Sequence, residues 1–319
     1  MAEHSTFWET EERLPVKPQT GVCAIALGDL HLGINPPKAR LKEPSWFDAM
    51  ARPLNEIKEL QQQHGNVPCI LAGDVLHRWH EPAELVNWAL KALPDNCWAV
   101  AGNHELPNHQ LKDVKKSAFW TLVEAGKVKL LTPEPVGLGH LNVRGFSWGQ
   151  VPEPLTERHS LTIEVAVVHA YVWNQATGYP GAAPSCRLKA WLKRLKGYDL
   201  AITGDNHETI HHEREGFTLF NSGSMMRRNV NQANHRPCVG LVGVDGKVTK
   251  HYLDCSADVL AEPDGLPKVA GIDSKGFLAE LEKLGEAGVD FKAAMLQRLR
   301  DETVLAGVRG AIIEAMEGA

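Results

Sequence analysis

The sequence predicts an α/β fold in which a buried sheet is flanked by helices. Two observations lead to this prediction. Short apolar runs recur along the 319-residue chain, and each ends in glycine or valine directly before a polar residue. Runs of this length are typical of buried strands. Stretches with helical spacing of apolar residues separate the first three runs, and such β-α-β-α-β alternation is typical of a sheet covered by helices.

Eight strands are predicted. The five that precede polar motifs are residues 21–28, 67–73, 97–102, 163–168 and 200–204. Three later runs, at residues 216–221, 238–244 and 247–253, follow one another with a turn at Asp245-Gly246 between the last two. A second sheet packed on the first would accommodate these later strands.

Helices are predicted between the first strands. Apolar side chains recur at helical spacing within residues 44–65: Phe47, Met50, Leu54, Ile57 and Leu60. Pro53 is expected to kink or interrupt this helix. Residues 81–93 and 114–126 have the same character, and residues 276–318 are rich in helix formers. We therefore expect a main domain at residues 1–255 and a small C-terminal helical region at residues 256–319.

Composition is that of an ordinary globular protein, with 43% hydrophobic and 23% charged residues. The formal net charge of -5 argues against a protein that coats nucleic acid by electrostatics alone, although bound cations would reverse the local field of a nuclease. No apolar run could span a bilayer, and the first residues resemble no signal peptide. Six cysteines without a CxxC pair predict reduced thiols, so we expect a cytoplasmic protein with no membrane partner.

Five polar motifs follow the predicted strands in a fixed order. They are Gly28-Asp29-Leu30-His31, Gly73-Asp74-Val75-Leu76-His77, Gly102-Asn103-His104-Glu105, Val168-His169-Ala170 and Gly204-Asp205-Asn206-His207. Each motif alone is a weak signal, because Asp-x-His is common and Gly-Asn-His-Glu could simply cap a helix. Their order and their shared place at strand ends, where ligands of α/β sheets collect, make the set specific.

Asp, His and Asn are the residue types that hold divalent cations in pairs. Asp29 and His31 lie two residues apart, on the same face of an extended segment, and can reach one metal. Two dications about 3.5–4 Å apart need an anion between them, and Asp74, from the central part of the predicted sheet, is the candidate bridge. Oxygen and nitrogen ligands without thiolate favour Mn²⁺ or Fe²⁺ over a closed zinc site. Two-metal sites of this kind suit the hydrolysis of phosphate esters.

On these motifs, residues 22–253 resemble the calcineurin-like metallophosphoesterase superfamily. The resemblance implies a four-layer α-β-β-α sandwich of two mixed sheets, with a small C-terminal helical appendage beyond the catalytic domain. The implied ligands are Asp29, His31, Asp74 and His207 for one metal, and Asp74, Asn103, His169 and Asp205 for the other. His104 would be the general acid or the group that stabilises the transition state.

The last motif departs from the family pattern, which usually reads Gly-His-x-His. Asp205 stands in place of the first histidine. Aspartate can ligate Mn²⁺ as imidazole does. Alternatively, Asp205 points away from the metal and water fills its place.

The second motif resembles that of the SbcD-type DNA-repair nucleases. His77 stands where protein phosphatases carry Asp-Arg-Gly, and in the nucleases such a histidine helps orient DNA or the catalytic histidine. The segment Asn221-Ser222-Gly223-Ser224 and the following Arg227 and Arg228 resemble a turn of those nucleases, which implies substrate binding by both arginines. Residues 106–109 resemble small phage-type members.

The resemblance implies a metal-dependent DNA exonuclease or endonuclease that acts in DNA repair, recombination or replication. Mn²⁺ is the expected metal, with Mg²⁺, Fe²⁺ or Zn²⁺ as alternatives. DNA, an SbcC-like ATPase bound through the C-terminal helices and a second copy in a homodimer are the expected partners. A phosphatase or small-nucleotide phosphodiesterase is the alternative, although Ala101 stands where protein phosphatases carry a phosphate-binding arginine. A catalytically silent binding subunit is the third hypothesis.

Overall fold

The structure is a computed structural model that describes residues 21–158, 161–174, 182–229 and 232–261. In this part of the chain, the strands are β1 (Val22–Leu27), β2 (Cys69–Leu71), β3 (Cys97–Ala99), β4 (Val128–Leu130), β5 (Val136–Leu138), β6 (Leu141–Phe146), β7 (Ile163–His169), β8 (Leu200–Gly204), β9 (Ile210–Arg214), β10 (Phe217–Asn221), β11 (Cys238–Gly243) and β12 (Val248–Tyr252). The α-helices are α1 (Trp46–Gln63), α2 (Ala83–Ala92), α3 (Ala118–Glu124) and α4 (Leu188–Arg194). Short 3-10 helices lie at Lys38–Arg40, Asn103–Glu105, Pro107–His109, Leu111–Lys116 and Pro184–Cys186.

The strands form two six-stranded mixed sheets. The first has the order β12-β11-β1-β2-β3-β4, and the second has the order β5-β6-β7-β8-β10-β9. Strands β1 to β4 are parallel neighbours, as are β6, β7, β8 and β10, while the remaining pairs are antiparallel. The carboxyl ends of β1, β2, β3, β7 and β8 therefore supply the loops in which the predicted motifs lie.

Three apolar clusters fill the spaces between the layers. The inner faces of the two sheets meet through side chains such as Ile70, Val100, Val167 and Phe220. Helices α1, α2 and α3 cover the outer face of the first sheet, and α4 covers that of the second. The four-layer α-β-β-α sandwich is thus confirmed.

Helix α1 runs through Pro53 without interruption, so of the expected kink or interruption at this residue, the interruption was wrong. Pro53 removes one backbone donor, but the helix buries an apolar stripe against the first sheet that includes Met50, Leu54 and Ile57. Burial of such side chains contributes about 1.5–3 kcal/mol each and offsets the lost hydrogen bond. Ser45 caps the start of the helix by accepting a hydrogen bond from the Asp48 N–H.

Two other expectations differ from the structure in detail. Strands β11 and β12 extend the first sheet, because β11 pairs antiparallel with β1, whereas we expected them in the second sheet. The predicted helix at residues 114–126 is divided into a 3-10 helix and the shorter α3, with Ser117 as the cap that separates them. Strands β4, β5, β6 and β9 were not predicted.

The segment after β12 packs back on the start of α1. Asp258 accepts hydrogen bonds from Arg40 and Arg52, and the Ala261 N–H donates to the Ala39 carbonyl. The predicted C-terminal helical region lies outside the described residues beyond residue 261. No helix in the described part of the chain is long and apolar enough to cross a bilayer.

Candidate metal centre

The five motifs meet where the carboxyl ends of strands from both sheets face each other. Asp29, Asp74 and Asn103 follow three neighbouring strands of the first sheet, β1, β2 and β3. His169 ends β7, and Asp205 follows β8 directly, in the second sheet. Loops diverge at this edge and leave room for a site.

The backbone at these strand ends is strained. Four motif residues adopt left-handed dihedrals that are uncommon for residues with a Cβ atom: Asp29, His31, Asp74 and Asp205, with φ of 52°, 46°, 51° and 75°. Such conformations cost on the order of 1–3 kcal/mol each and tend to persist at functional sites. The strain turns successive side chains toward one point at the sheet edge.

Two glycines make this convergence possible. A Cβ atom on Gly73 would overlap the imidazole of His169, and one on Gly102 would overlap the carboxylate of Asp74. Gly73 also has a φ of 87°, which glycine adopts without strain. Close approach of backbone to the site therefore explains both residues.

The first group of donors joins three motifs. His31 Nε2 lies 2.9 Å from His207 Nε2 and 3.5 Å from Asp74 Oδ2. Asp29 Oδ1 lies 3.9 Å from each of the two imidazole nitrogens. One ligand atom from each of Asp29, His31 and His207 lies within 4.8 Å of the other two, so the three residues could hold a metal ion.

The second group lies on the other side of Asp74. Asp74 Oδ1 is 3.4 Å from His169 Nε2, which lies 2.9 Å from Asn103 Oδ1. The Nδ1 atom of His169 is 2.6 Å from the Ala72 carbonyl oxygen, so Nδ1 carries the proton and Nε2 presents its lone pair. Asp29, Asp74 and His169 form another set that could hold a metal ion.

The protonation states of these side chains suit a cation. Burial and the charge of Asp74 raise the pKa of Asp29, a repulsion that a bound dication would relieve. Burial, followed by neighbouring His207, holds the pKa of His31 well below its usual value. Burial lowers the pKa of His207 to about 4. Neutral imidazoles beside crowded carboxylates are the forms that bind divalent metals, so these residues fit the predicted ions.

A family model for calcineurin-like phosphoesterases matches residues 24–209, which is more than half of the chain. The chain belongs to the calcineurin-like phosphoesterase family. Members use pairs of divalent metals for hydrolysis, so this phosphoesterase is a hydrolase whose buried Asp and His cluster could bind such metals.

Solved structures with distant similarity include proteins of related description. A novel archaeal phosphodiesterase is 14% identical, covers 72% of this chain and 99% of its own, and has a TM-score of 0.39. A putative 5'-nucleotidase from Staphylococcus aureus is 15% identical over 82% of this chain and 58% of its own, with a TM-score of 0.43. The calcineurin-like phosphoesterase YfkN from Bacillus subtilis is 13% identical, covers 76% of this chain and 93% of its own, and has a TM-score of 0.44. No curated protein sequence matches the chain.

His104 stands at the open side of the phosphoesterase site. Its side chain is 33% exposed, and its Nε2 lies 4.0 Å from Asp74 Oδ2. Its Nδ1 is 2.5 Å from the His77 carbonyl oxygen, and its backbone N–H donates to Asp74 Oδ1 at 3.1 Å. These contacts fix the ring so that Nε2 lies beside Asp74, the bridging candidate.

His77 packs against His104. The two rings stack with centroids 5.1 Å apart and planes at 23°. Burial, followed by the nearby charge of Arg228, lowers the pKa of His77 to about 3. Its Nδ1 is buried and has no hydrogen-bond partner among the described residues. His77 therefore supports the His104 ring as a neutral imidazole.

Glu105 is a site residue that sequence reasoning missed. Its buried carboxylate accepts hydrogen bonds from the backbone N–H groups of Asp74, Leu76 and Gly102, at 3.0, 2.9 and 2.7 Å. Burial and the charge of Asp74 raise its pKa to about 8. The signal in the sequence was its place in the third motif, directly after His104 and two residues after Asn103.

Asp205 takes part in the site through its backbone. Its N–H lies 3.1 Å from both carboxylate oxygens of Asp29. Burial raises the pKa of its own carboxyl group. Among the described residues, the groups that could hold a metal do not include Asp205, so its role as a ligand stays a prediction.

The two predicted substrate-binding arginines have different surroundings. Arg228 is buried, and its Nη1 donates to the His31 carbonyl at 2.8 Å. Burial lowers its pKa to about 10. Arg227 donates to Asp258 at 3.1 Å and to the Cys255 carbonyl at 2.7 Å, which anchors the segment after β12. Their predicted binding of substrate stays a prediction.

Proposed function

We propose that the chain is a two-metal phosphodiester hydrolase that cleaves DNA, a nuclease of the SbcD-like type. The observation that carries the proposal is the orientation of Asp74. One of its carboxylate oxygens faces His31 and the other faces His169, at 3.5 and 3.4 Å. A carboxylate turned toward two separate donor groups is suited to bridge two ions.

Side chains from both sheets would hold the metals. They are Asp29, His31, His207 and the bridging Asp74 on one side, and Asn103, His169 and Asp74 on the other, with Asp205 as a further candidate. The bound ions would supply Lewis-acid charge neutralisation of the phosphoryl oxygens. Mn²⁺ is the proposed metal because the donors are oxygen and nitrogen only.

His104 would donate the proton that the leaving oxygen needs. Its Nδ1 is held by the His77 carbonyl, which leaves Nε2 free to face a substrate bound at the site. A positioned general acid contributes typically about 10²–10⁴-fold to the rate. His77 would keep the ring in this orientation by stacking.

The charge beside the site favours a diester over a phosphomonoester. A monoester dianion is best met by exposed arginines, since these bind phosphate with two hydrogen bonds. The apolar Ala101 precedes the third motif, and the stacked imidazoles of His77 and His104 flank the open side of the site. The Arg228 guanidinium donates to the protein backbone instead. Among the described residues, the donor groups themselves include no arginine, and the cations Arg236 and Lys250 lie beyond His207, in the adjoining cavity. A diester with a single negative charge suits the donor groups better.

The deciding experiment measures four substrates with the same protein in Mn²⁺ and then in Mg²⁺. The substrates are single-stranded DNA, double-stranded DNA, bis(p-nitrophenyl) phosphate and p-nitrophenyl phosphate. We expect cleavage of DNA and of the chromogenic diester, with little action on the monoester and none in excess chelator. Preferred hydrolysis of the monoester would contradict the proposal in favour of a phosphatase. Cleavage of the diester without cleavage of either DNA would favour a small-nucleotide phosphodiesterase.

The partners of this nuclease are part of the proposal. An ATPase similar to SbcC would bind through the C-terminal region, and two copies of the chain would form a homodimer. Copurification and light scattering of the full chain test these two interactions.

A further inference from the structure

A cavity of about 620 Å³ opens directly beside the metal centre. His207, whose Nε2 lies 2.9 Å from that of His31, is a wall of this cavity as well as a member of the first donor group. The other walls come from the end of β12 and from the loop that precedes β11. The cavity has the size of a small-molecule binding site, and it continues the metal centre along the protein surface.

Two cations and an aromatic ring form one wall of this cavity. Lys250 and Tyr252 lie two residues apart on edge strand β12, so both side chains point to the same face. The Arg236 guanidinium lies 4.1 Å from the centre of the Tyr252 ring, and Lys250 Nζ lies 5.9 Å from it. Tyr252 as a whole residue is 41% exposed. A large exposed aromatic side chain next to two cations is typical of a surface that binds nucleic-acid strands.

The two cations have no acidic partner among the described residues. Within the described part of the chain, no carboxylate lies within 4.0 Å of the side-chain nitrogens of Arg236 or Lys250. Glu208 is the acidic residue among the described walls of the cavity. Unpaired cations in a concave surface attract an anion such as a phosphate group.

Amide side chains also line the cavity. Asn229 and Asn234 both face the cavity. Gln232 differs from these two residues, because its Oε1 already accepts hydrogen bonds from the backbone N–H groups of Arg228 and Asn229. These hydrogen bonds fix the turn that carries Asn229. Amide side chains can donate to and accept from the edge of a base.

We propose that this cavity binds the nucleotide next to the scissile phosphate of a single nucleic-acid strand. Tyr252 stacks on the base, and Arg236 and Lys250 bind the adjoining phosphate. The proposal rests on the proposed function, because the strand must have a phosphodiester at the metal centre beside His207. Nucleotides bound here fix which bond of the strand reaches the metals.

Binding is tested first without catalysis. The probe is a fluorescein-labelled single-stranded oligothymidylate, and its anisotropy is measured with the full chain in EDTA at several salt concentrations. We expect Tyr252→Ala to weaken binding about tenfold. We expect Tyr252→Phe to bind as the wild type does, because the ring face remains. The double variant Arg236→Ala/Lys250→Ala should lower the slope of log affinity against log salt by about 0.7 for each phosphate that no longer pairs with a cation.

The matched control is Lys129→Ala. Lys129 Nζ lies 4.6 Å from the centre of the Trp98 ring, a comparable cation–aromatic pair at the other edge of the first sheet. Its removal should leave both the affinity and the salt slope unchanged. If Lys129→Ala and the double variant changed affinity and salt slope equally, the proposal would be overturned. Loss of positive charge anywhere on the protein would then explain the weaker binding.

Turnover with Mn²⁺ separates the cavity from the metal centre. In Tyr252→Ala, the KM for the oligonucleotide should rise while kcat/KM for bis(p-nitrophenyl) phosphate, which has no base, stays unchanged. Unchanged anisotropy and unchanged KM in a folded Tyr252→Ala variant would overturn the cavity proposal and leave the proposed hydrolase intact. A wild-type protein that binds the oligonucleotide through Tyr252 but cleaves no phosphodiester would overturn the proposed function and leave this binding site in place.

Discussion

The Nε2 atoms of His31 and His207 lie 2.9 Å apart, although 176 positions separate the two residues in the chain. His31 follows β1 of the first sheet, and His207 follows β8 of the second. The packing of the two sheets therefore creates the donor group, and neither sheet could form it alone. The neutral imidazoles of His31 and His207 and the carboxylate of Asp29 form a pocket that can chelate a cation. A bound cation would relieve the repulsion between the Asp29 and Asp74 carboxylates.

Metal addition should stabilise the fold through this pocket. A ligand at 100 times its Kd stabilises the folded state by about 2.7 kcal/mol, which corresponds to a rise in Tm of roughly 5–10 °C for a domain of this size. We expect Mn²⁺ to raise the Tm of chelator-treated protein by that amount, measured by differential scanning calorimetry. His31→Ala should abolish the rise. His251→Ala, which removes a histidine that pairs with Glu56 of α1 and belongs to neither donor group, should keep it.

Asp74 should control how many metals bind. Its two carboxylate oxygens face His31 and His169, so Asp74→Asn removes the negative charge that lets two cations lie side by side. We expect elemental analysis after dialysis to find about two Mn²⁺ per wild-type chain and one or fewer in Asp74→Asn. Asp113→Asn, a change at a half-buried 3-10 helix residue paired with Lys116, is the matched control. Two tightly held ions in Asp74→Asn would argue against the bridge.

His104 should affect turnover without affecting metal content. Its imidazole belongs to neither of the two donor groups that contain Asp29, although ligand atoms of His104, His31 and His77 also lie within 4.8 Å of one another. Its Nε2 is 4.0 Å from Asp74 Oδ2, on the bridging candidate. We expect His104→Ala to keep the wild-type metal content by elemental analysis and to lose about 10²–10⁴-fold in kcat on bis(p-nitrophenyl) phosphate. His109→Ala, on the following 3-10 helix, should lose little. Wild-type turnover in His104→Ala would remove the assignment of the proton donor.

Glu105 should contribute to both stability and metal binding. Its carboxylate satisfies three buried backbone N–H groups, including that of Asp74. Each buried donor left without a partner costs about 1–3 kcal/mol, so Glu105→Ala should lower the free energy of unfolding by roughly 3 kcal/mol or more in urea titration. Glu124→Ala, whose side chain accepts an exposed hydrogen bond from Trp120, is the control. A loss below about 1 kcal/mol in Glu105→Ala would show that water replaces the carboxylate.

Local sequence signals predicted which strands end in polar motifs, but not the order of the strands in the sheets. Asp29, Asp74, Asn103 and His169 each follow a short apolar run, and the strand periodicity alone places them at one edge. The position of β11 beside β1 depends on a pairing between residues more than 200 positions apart, which no local pattern encodes. Short strands such as β4 and β5 have three residues each, too few to show a period.

Hydrogen bonds to backbone N–H groups at the site also could not be predicted from the sequence. The sequence places Glu105 next to a predicted ligand, but its three hydrogen bonds form only because the loops after β2 and β3 lie side by side. The hydrogen bond from the Asp205 N–H to Asp29 could not be predicted either, and it leaves the ligand role of the Asp205 side chain a prediction. The helix that contains Pro53 continues because tertiary packing outweighs a local preference.

The buried ion cluster at the start of α1 should make the fold sensitive to acid. Glu43 contacts Arg40 at 2.5 Å and Arg52 at 3.2 Å, and accepts a hydrogen bond from the Val259 N–H. Burial opposes ionisation of Glu43, but these hydrogen bonds and cations outweigh it and lower its pKa below 4.5. A carboxyl group whose pKa falls on folding stabilises fully above the pKa of the unfolded chain. That contribution is lost as the pH falls through the pKa of the folded state.

We therefore expect the wild-type free energy of unfolding to fall as the pH drops below about 4.5, and to fall less steeply in Glu43→Gln. Urea titrations at a series of pH values, carried out in chelator so that metal binding does not contribute, measure both slopes. Glu213→Gln, which replaces an exposed carboxylate near His211, should keep the wild-type slope. Parallel curves for the wild type and Glu43→Gln would mean that the ion cluster contributes no acid sensitivity, since a buried amide would then serve as well as the carboxylate.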